Sequence, residues 1–492
     1  MNARRGLELL TTVPLVLLLT VAALPLFFLA ARFAVLPSVD LSSLVPTLAF
    51  AVAGAAVSAI VGGALGAVIG TLDVPGRRWI VAVSAALVAA PPAFWWIGLT
   101  RLPVGFGSLG LVSGSGVAGL GLAPVTLLLV LAATREIPAN AYEAARVSLG
   151  PAHRFVFVLV PLLRPALIAG FLLTAILLLG ESEIPFLFGF RTSMTDVVTM
   201  FSQTFDPGRT VPIILPLVGA VLLLGLLMIR PLFAVVLSSP RGGRGVVRKP
   251  GGALVRVGTL VLPALVALSL AGYAWAAISG TGNVWRRLPA GMSTVVVSIA
   301  EPVMCALAGL GLAVAAVYPL RRSVMIRTLT MIGLLLFCVP AAVVAIGWIA
   351  VGQAAGGVSV PPAVAYVSRT IGLPALGFLI AYSRMPQSLD DAARLVSISP
   401  LRRAWRLVLP LFVPSLAATA GLIAALIFAD RDVASLLLAP GASRLMLNFY
   451  LLSANAPSAL IGATALIVFA AGATVITLAG SGPLVLWLRP RG

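Results

Sequence analysis

The chain has 492 residues, 60% of them hydrophobic and only 10% charged, with a mean hydropathy of +1.13 and a formal net charge of +19. Soluble domains are roughly half apolar and about a quarter charged, so these values exclude an ordinary soluble domain and point to a chain built for lipid. The basic excess does not mark a nucleic-acid binder, because no basic run is interleaved with aromatic residues for base stacking; arginines at helix ends, facing anionic headgroups, account for it.

In chain order, apolar runs of the roughly 20 residues needed to cross the hydrocarbon core recur along the whole length. They predict an all-α polytopic membrane protein with about twelve spans, near residues 10–34, 47–70, 79–99, 108–133, 159–180, 211–233, 256–278, 291–318, 327–351, 364–383, 407–429 and 458–486. The first of these follows Arg4 and Arg5 and resembles a signal peptide, but its apolar core outruns a typical signal h-region, so a spanning helix is expected. Arg369 and Pro374 interrupt the tenth. Alternation from a cytoplasmic N-terminus leaves 24 of the 33 basic residues inside, and the positive-inside rule then puts both termini in the cytoplasm.

The Gly-rich basic stretch Ser238–Arg256 reads as a cytoplasmic linker (238–256) between a first half, 1–237, and a second half, 257–492. The halves match at a fixed offset of 249 positions: Pro161 with Pro410, Pro165 with Pro414, Gly98 with Gly347, and "GESEI" from Gly180 with "ADRDV" from Ala429. One offset at separated places predicts an internal duplication, two six-helix halves in parallel repeat.

Each half carries one polar, basic loop between its fourth and fifth spans, near 138–158 and near 386–406. The first reads "YEAARVSLGPAHRFVFVLVPLL" from Tyr142, the second "LDDAARLVSISPLRRAWRLVLPLF" from Leu389. In both, an acid precedes two alanines and an arginine: Glu143, Ala144, Ala145, Arg146, and Asp391, Ala392, Ala393, Arg394. A helix breaker follows, then a basic-apolar piece running into Pro161 or Pro410. Tyr142, Ala145 and Leu149 share one helical face, so the first loop is expected to present a docking helix. An interfacial helix lying on lipid is the bland alternative for either loop taken singly.

The pattern resembles the EAA loop of permease subunits from binding-protein-dependent ABC importers, in the fused form similar to iron(III)- and thiamine-type permeases. Gly150 comes one residue later than the family spacing, and in the second loop no glycine follows: counting from Asp391 reaches Ser397, and counting back from Pro410 reaches Ser399. The resemblance implies a bacterial inner-membrane permease forming the translocation pathway, with two copies of an ABC ATPase docked on the two loops. It also implies an extracytoplasmic solute-binding protein as partner, with ferric iron as the preferred substrate and thiamine or another small solute as alternatives. ATP and Mg would be held by the partner ATPase, and no cofactor by this chain.

A Walker A motif needs a lysine after its last glycine, and the only lysine, Lys249, lies in "RKPGG". The chain is therefore expected to be a transporter subunit and not an enzyme. The alternative is an ion-gradient-driven secondary transporter with two six-helix halves. Glu301 bears on it, either as a mid-membrane pathway residue or as an outer-end residue beside Arg286 or Arg287. Glu181 and Glu183 after the fifth span, and Asp430 and Asp432 after the eleventh, are expected at equivalent outer positions. Hard oxygen ligands there would suit a hard cation, while ordinary charged helix ends are the plain reading. Cys305 and Cys338 read as buried small hydrophobes, and His153, the single histidine, cannot build a histidine metal site.

Overall fold

A computed structural model of the chain describes residues 16, 19–31, 41–74, 76–87, 90–103, 110–134, 136–137, 144–145, 147, 149–236, 249–250, 257–279, 291–317, 325–383 and 409–488. These are mostly helical. The helices are α1 (Leu19–Ala31), α2 (Leu44–Thr71), α3 (Arg77–Leu87), α4 (Pro92–Thr100), α5 (Leu111–Thr134) and the four-residue α6 (Pro151–Arg154). A π-turn over Phe155–Leu159 leads into α7 (Val160–Leu179), followed by α8 (Glu183–Phe188), α9 (Ser193–Thr204), α10 (Pro207–Val236) and α11 (Val261–Ser279). Then come α12 (Met292–Val317), α13 (Met325–Cys338), α14 (Ala341–Ala354), α15 (Pro362–Thr370), α16 (Gly372–Ser383) and α17 (Leu409–Ala429). The last are α18 (Asp432–Leu437), α19 (Leu445–Asn455) and α20 (Ser458–Leu488). One two-residue parallel pairing interrupts the helical pattern, with Leu72 and Asp73 (β1) beside Lys249 and Pro250 (β2).

Among the described residues, nine helical stretches are long and apolar enough to cross a membrane, and a tenth forms if α13 and α14 are joined across their 96° bend. The chain is a multi-pass helical membrane protein. Two expected spans are broken where proline withholds a backbone N–H: the third gives way to α3 and α4 around Pro91, and the ninth bends at Pro340. The tenth splits at Ile371, leaving α15 and α16 as separate segments of one span. Two pairs of helices start 249 positions apart: α4 and α14 at Pro92 and Ala341, α8 and α18 at Glu183 and Asp432.

The residues gather into two compact units, neither continuous in sequence. The larger holds Leu29–Gly291 with Leu445–Phe469; the smaller holds Met1–Phe28, Met292–Arg444 and Ala470–Gly492. Thus α11 clusters with the helices of the chain's first half, and most of α1 with those of its second.

In the larger unit, small residues repeat every four positions along one stripe of α2: Gly54, Ser58, Gly62, Gly66 and Gly70. Lipid gives apolar surfaces no reason to associate, so membrane helices gain by close backbone approach at such stripes. Here α5 fills the groove: a Cβ on Gly62 would overlap the Ala123 carbonyl, and one on Gly66 would lie 2.7 Å from the Leu127 oxygen. Hydroxyls add to the seam, with Ser58 Oγ 3.0 Å from Thr126 Oγ1 on α5 and 3.1 Å from Thr174 Oγ1 on α7. Beyond it, Phe94, Tyr273 and Phe449 pack as an aromatic core, their ring centroids 5.0 to 5.9 Å apart.

In the smaller unit, α13 and α16 touch backbone to backbone at Gly333 and Gly372, and α16 meets Thr419 of α17 at Gly377. Cohesion there also uses charge.

Candidate functional site

Two places carry the chemistry singled out in the sequence: the loop ahead of α7 and the charged residues around the helix breaks.

The loop lies in the larger unit. Ala145 is buried and Leu149 half-buried, while Ala144 is exposed and Val147 is 91% exposed. The face bearing Ala145 thus turns toward the chain itself, and Ala144 and Val147 form the outward face. Tyr142, the third residue of the face expected to dock, lies outside the described residues. The amphipathic period was visible, but it cannot say which side a second layer already occupies. Gly150 is exposed, and its carbonyl accepts the Arg154 N–H at 2.9 Å, starting α6. Glu143 and Arg146 lie outside the described residues.

Beyond α6 the helix loosens into the π-turn, where the Val160 N–H donates to the Phe155 carbonyl. Pro161 is the local cause: it has no N–H to offer the Phe157 carbonyl, and its ring displaces that carbonyl from a regular ladder. Val156, Phe157 and Leu162 are exposed, and the His153 ring stacks on Phe157 at 5.8 Å. The inner side is anchored by Ala67, Val130, Ile137, Leu159, Leu163, Ala166 and Val235, all buried. The outcome is a rigidly backed element with an apolar outer face. In the second loop, Asp391, Ala392, Ala393, Arg394 and Ser399 lie outside the described residues, and Pro410 is the second residue of α17.

The acids after the long helices are already engaged. Glu181 Oε1 accepts the backbone N–H groups of Glu183 at 2.8 Å and Ile184 at 3.3 Å, capping α8. Glu183 is buried. Asp430 Oδ1 accepts the Val433 N–H at 3.0 Å, the same service for α18, and its Oδ2 meets Arg369 NH1 at 3.1 Å. Asp432 pairs with Arg431 at 3.2 Å. Among the described residues no three His, Cys, Asp or Glu side chains come together as a metal-holding group.

Glu301 sits within α12, and its partner is Arg444 at 2.6 Å. Arg286 and Arg287, the neighbours expected from sequence, lie outside the described residues. Cys305 and Cys338 are free and buried. Sequence reasoning did not foresee the roles of Arg369 and Arg444. A signal for the first was present, since an arginine inside an apolar run needs a partner at membrane depth.

Comparison with protein-family models, curated proteins and solved structures finds no match to this chain.

Proposed function

We propose that the chain is the membrane-spanning permease of an ATP-driven, binding-protein-dependent importer, with both halves fused in one polypeptide. Supporting this reading are the repeated acid-Ala-Ala-Arg loops and the helix starts spaced by one offset, as a duplicated module requires. The observation that carries it is the first loop's surface, where Ala144 and Val147 stand exposed ahead of the span Phe155–Leu179. Such a patch suits an apolar groove on a partner, and the partner in this reading is a separate ATPase, two copies of which grip the two loops on the cytoplasmic face. Closure of the ATPase pair on ATP and Mg would draw the loops together and rock the bundles between two rigid-body states. A solute-binding protein delivers substrate from the opposite face.

Ferric iron remains the proposed substrate, by resemblance of the fused architecture. The outer acids lend it no ligand set, because caps and arginines occupy them.

The test is reconstitution. The chain should co-purify with an ABC ATPase encoded beside it and stimulate ATP hydrolysis when the loaded binding protein is added. Uptake into liposomes on an imposed ion gradient, without any partner, would replace this reading with the secondary transporter.

A further inference from the structure

In the smaller unit one guanidinium joins three interruptions of the helical pattern. Arg369 lies in the last turn of α15, eight residues into the candidate span Pro362–Ser383. Its Nε donates to the carbonyl of Val339 at 3.2 Å, and Val339 lies in the bend between α13 and α14. Its NH1 donates to Asp430 just past the end of α17, and the group lies over the Phe337 ring at 5.4 Å from the centroid. The C-terminal ends of α13, α15 and α17 therefore converge on one cation. Helix C-termini carry partial negative charge and unsatisfied carbonyls, so in a low-dielectric interior such a convergence calls for a positive group. The arginine supplies it from within the chain, and its rigid planar fork holds two acceptors in a fixed geometry that a lysine's compact ammonium does not reproduce.

Two observations indicate that this contact positions the helices and does not merely decorate them. Behind α15 lies an apolar groove of about 320 Å³, between Val21 and the helix face Ala363, Val364, Val367 and Ile371. Packing on that side leaves α15 room; on the other, Ala365, Tyr366 and Thr370 are buried, and Trp348 Nε1 donates to Ser368 at 3.0 Å beside the Arg369 contacts. The position 249 residues earlier is Leu120, inside α5, and α5 runs unbroken from Leu111 to Thr134. The arginine occurs where the helix breaks and is absent where it does not.

We infer that Arg369 is a positioning residue that keeps this three-way junction shut, holding α15 against the α13–α14 bend and the end of α17. Cys338, buried and adjacent to Val339, is a native reporter. The inference rests on the transporter reading only for its consequence in uptake, so the first readout is independent of transport.

With Cys305→Ala, Cys338 becomes the sole thiol of the full-length protein, and a bulky water-soluble maleimide reports its exposure. The parent should label slowly. Arg369→Lys keeps the charge but not the fork, and Arg369→Leu with Asp430→Asn removes both charges; each should be monodisperse and label about tenfold faster, as expected for a loosened local segment. Substrate uptake in the complex should fall several-fold in both. Unchanged labelling in both variants would overturn the inference, and so would failure of both to fold, since neither leaves an uncompensated ion. Absence of ATPase stimulation by the unsubstituted chain would instead overturn the importer reading and leave the labelling result standing.

Discussion

Arg444 Nε lies 2.6 Å from Glu301 Oε2, tying the residue just before α19 to the interior of α12. Both side chains are more than four-fifths buried. Removing one partner strands a charge at low dielectric, which costs about 3–5 kcal/mol, whereas removing both is far milder. Glu301→Gln and Arg444→Gln should each lower the melting temperature in detergent more than the double variant does. A loss in the double variant equal to the sum of the two single losses would show the pair to be uncoupled.

The α2 stripe makes a different demand. Gly62 faces the Ala123 carbonyl with no space for a side chain. Gly62→Val should cost about 2–3 kcal/mol through forced separation of α2 and α5, whereas Gly219→Val on α10, where a Cβ meets nothing within 4 Å, should be tolerated. Denaturation of the two purified variants side by side checks this.

Ser58 joins three helices through hydroxyls, but such bonds in membrane proteins average only about 0.6 kcal/mol. Ser58→Ala should therefore lower stability by about 1 kcal/mol at most, well below Gly62→Val. A larger loss would mean that the trio near Thr126 and Thr174 acts cooperatively.

Val147 and Ala145 are two residues apart yet should respond oppositely. Val147→Asp alters an exposed face; stability should change by less than about 0.5 kcal/mol, while stimulation of the partner ATPase is lost. Ala145→Arg forces a charge into the loop's own backing and should loosen the loop, seen as faster proteolysis there. Normal stimulation by Val147→Asp would remove the exposed face from the coupling role.

Pro161 sets the phase of everything before it. A π-turn holds one extra residue, so restoring a regular ladder would rotate the preceding segment by roughly 100° relative to α7. Pro161→Ala should keep the fold and the membrane location but impair uptake. Full uptake would show the π-turn to be mechanically neutral.

The helical membrane architecture was legible because apolar length and charge scarcity are one-dimensional properties, and lipid enforces them along each segment separately. The offset of 249 between matching residues was visible in the sequence too, and the starts of α8 and α18 at Glu183 and Asp432 fall on it. Even the trouble at Arg369 showed, as an arginine in an apolar run.

What a hydrophobic pattern could not disclose is which groups meet. Glu181 and Asp430 were placed at equivalent outer positions by sequence; each caps a short helix, and Asp430 also holds an arginine 61 positions earlier. Ala145 and Val147 sit two residues apart in one loop, and one is buried while the other is exposed. Partner choice for a charge, and the inward or outward turn of an amphipathic face, depend on what the rest of the chain brings alongside. In a medium without water every polar group must be answered by another part of the protein, so only the tertiary structure could name the answer.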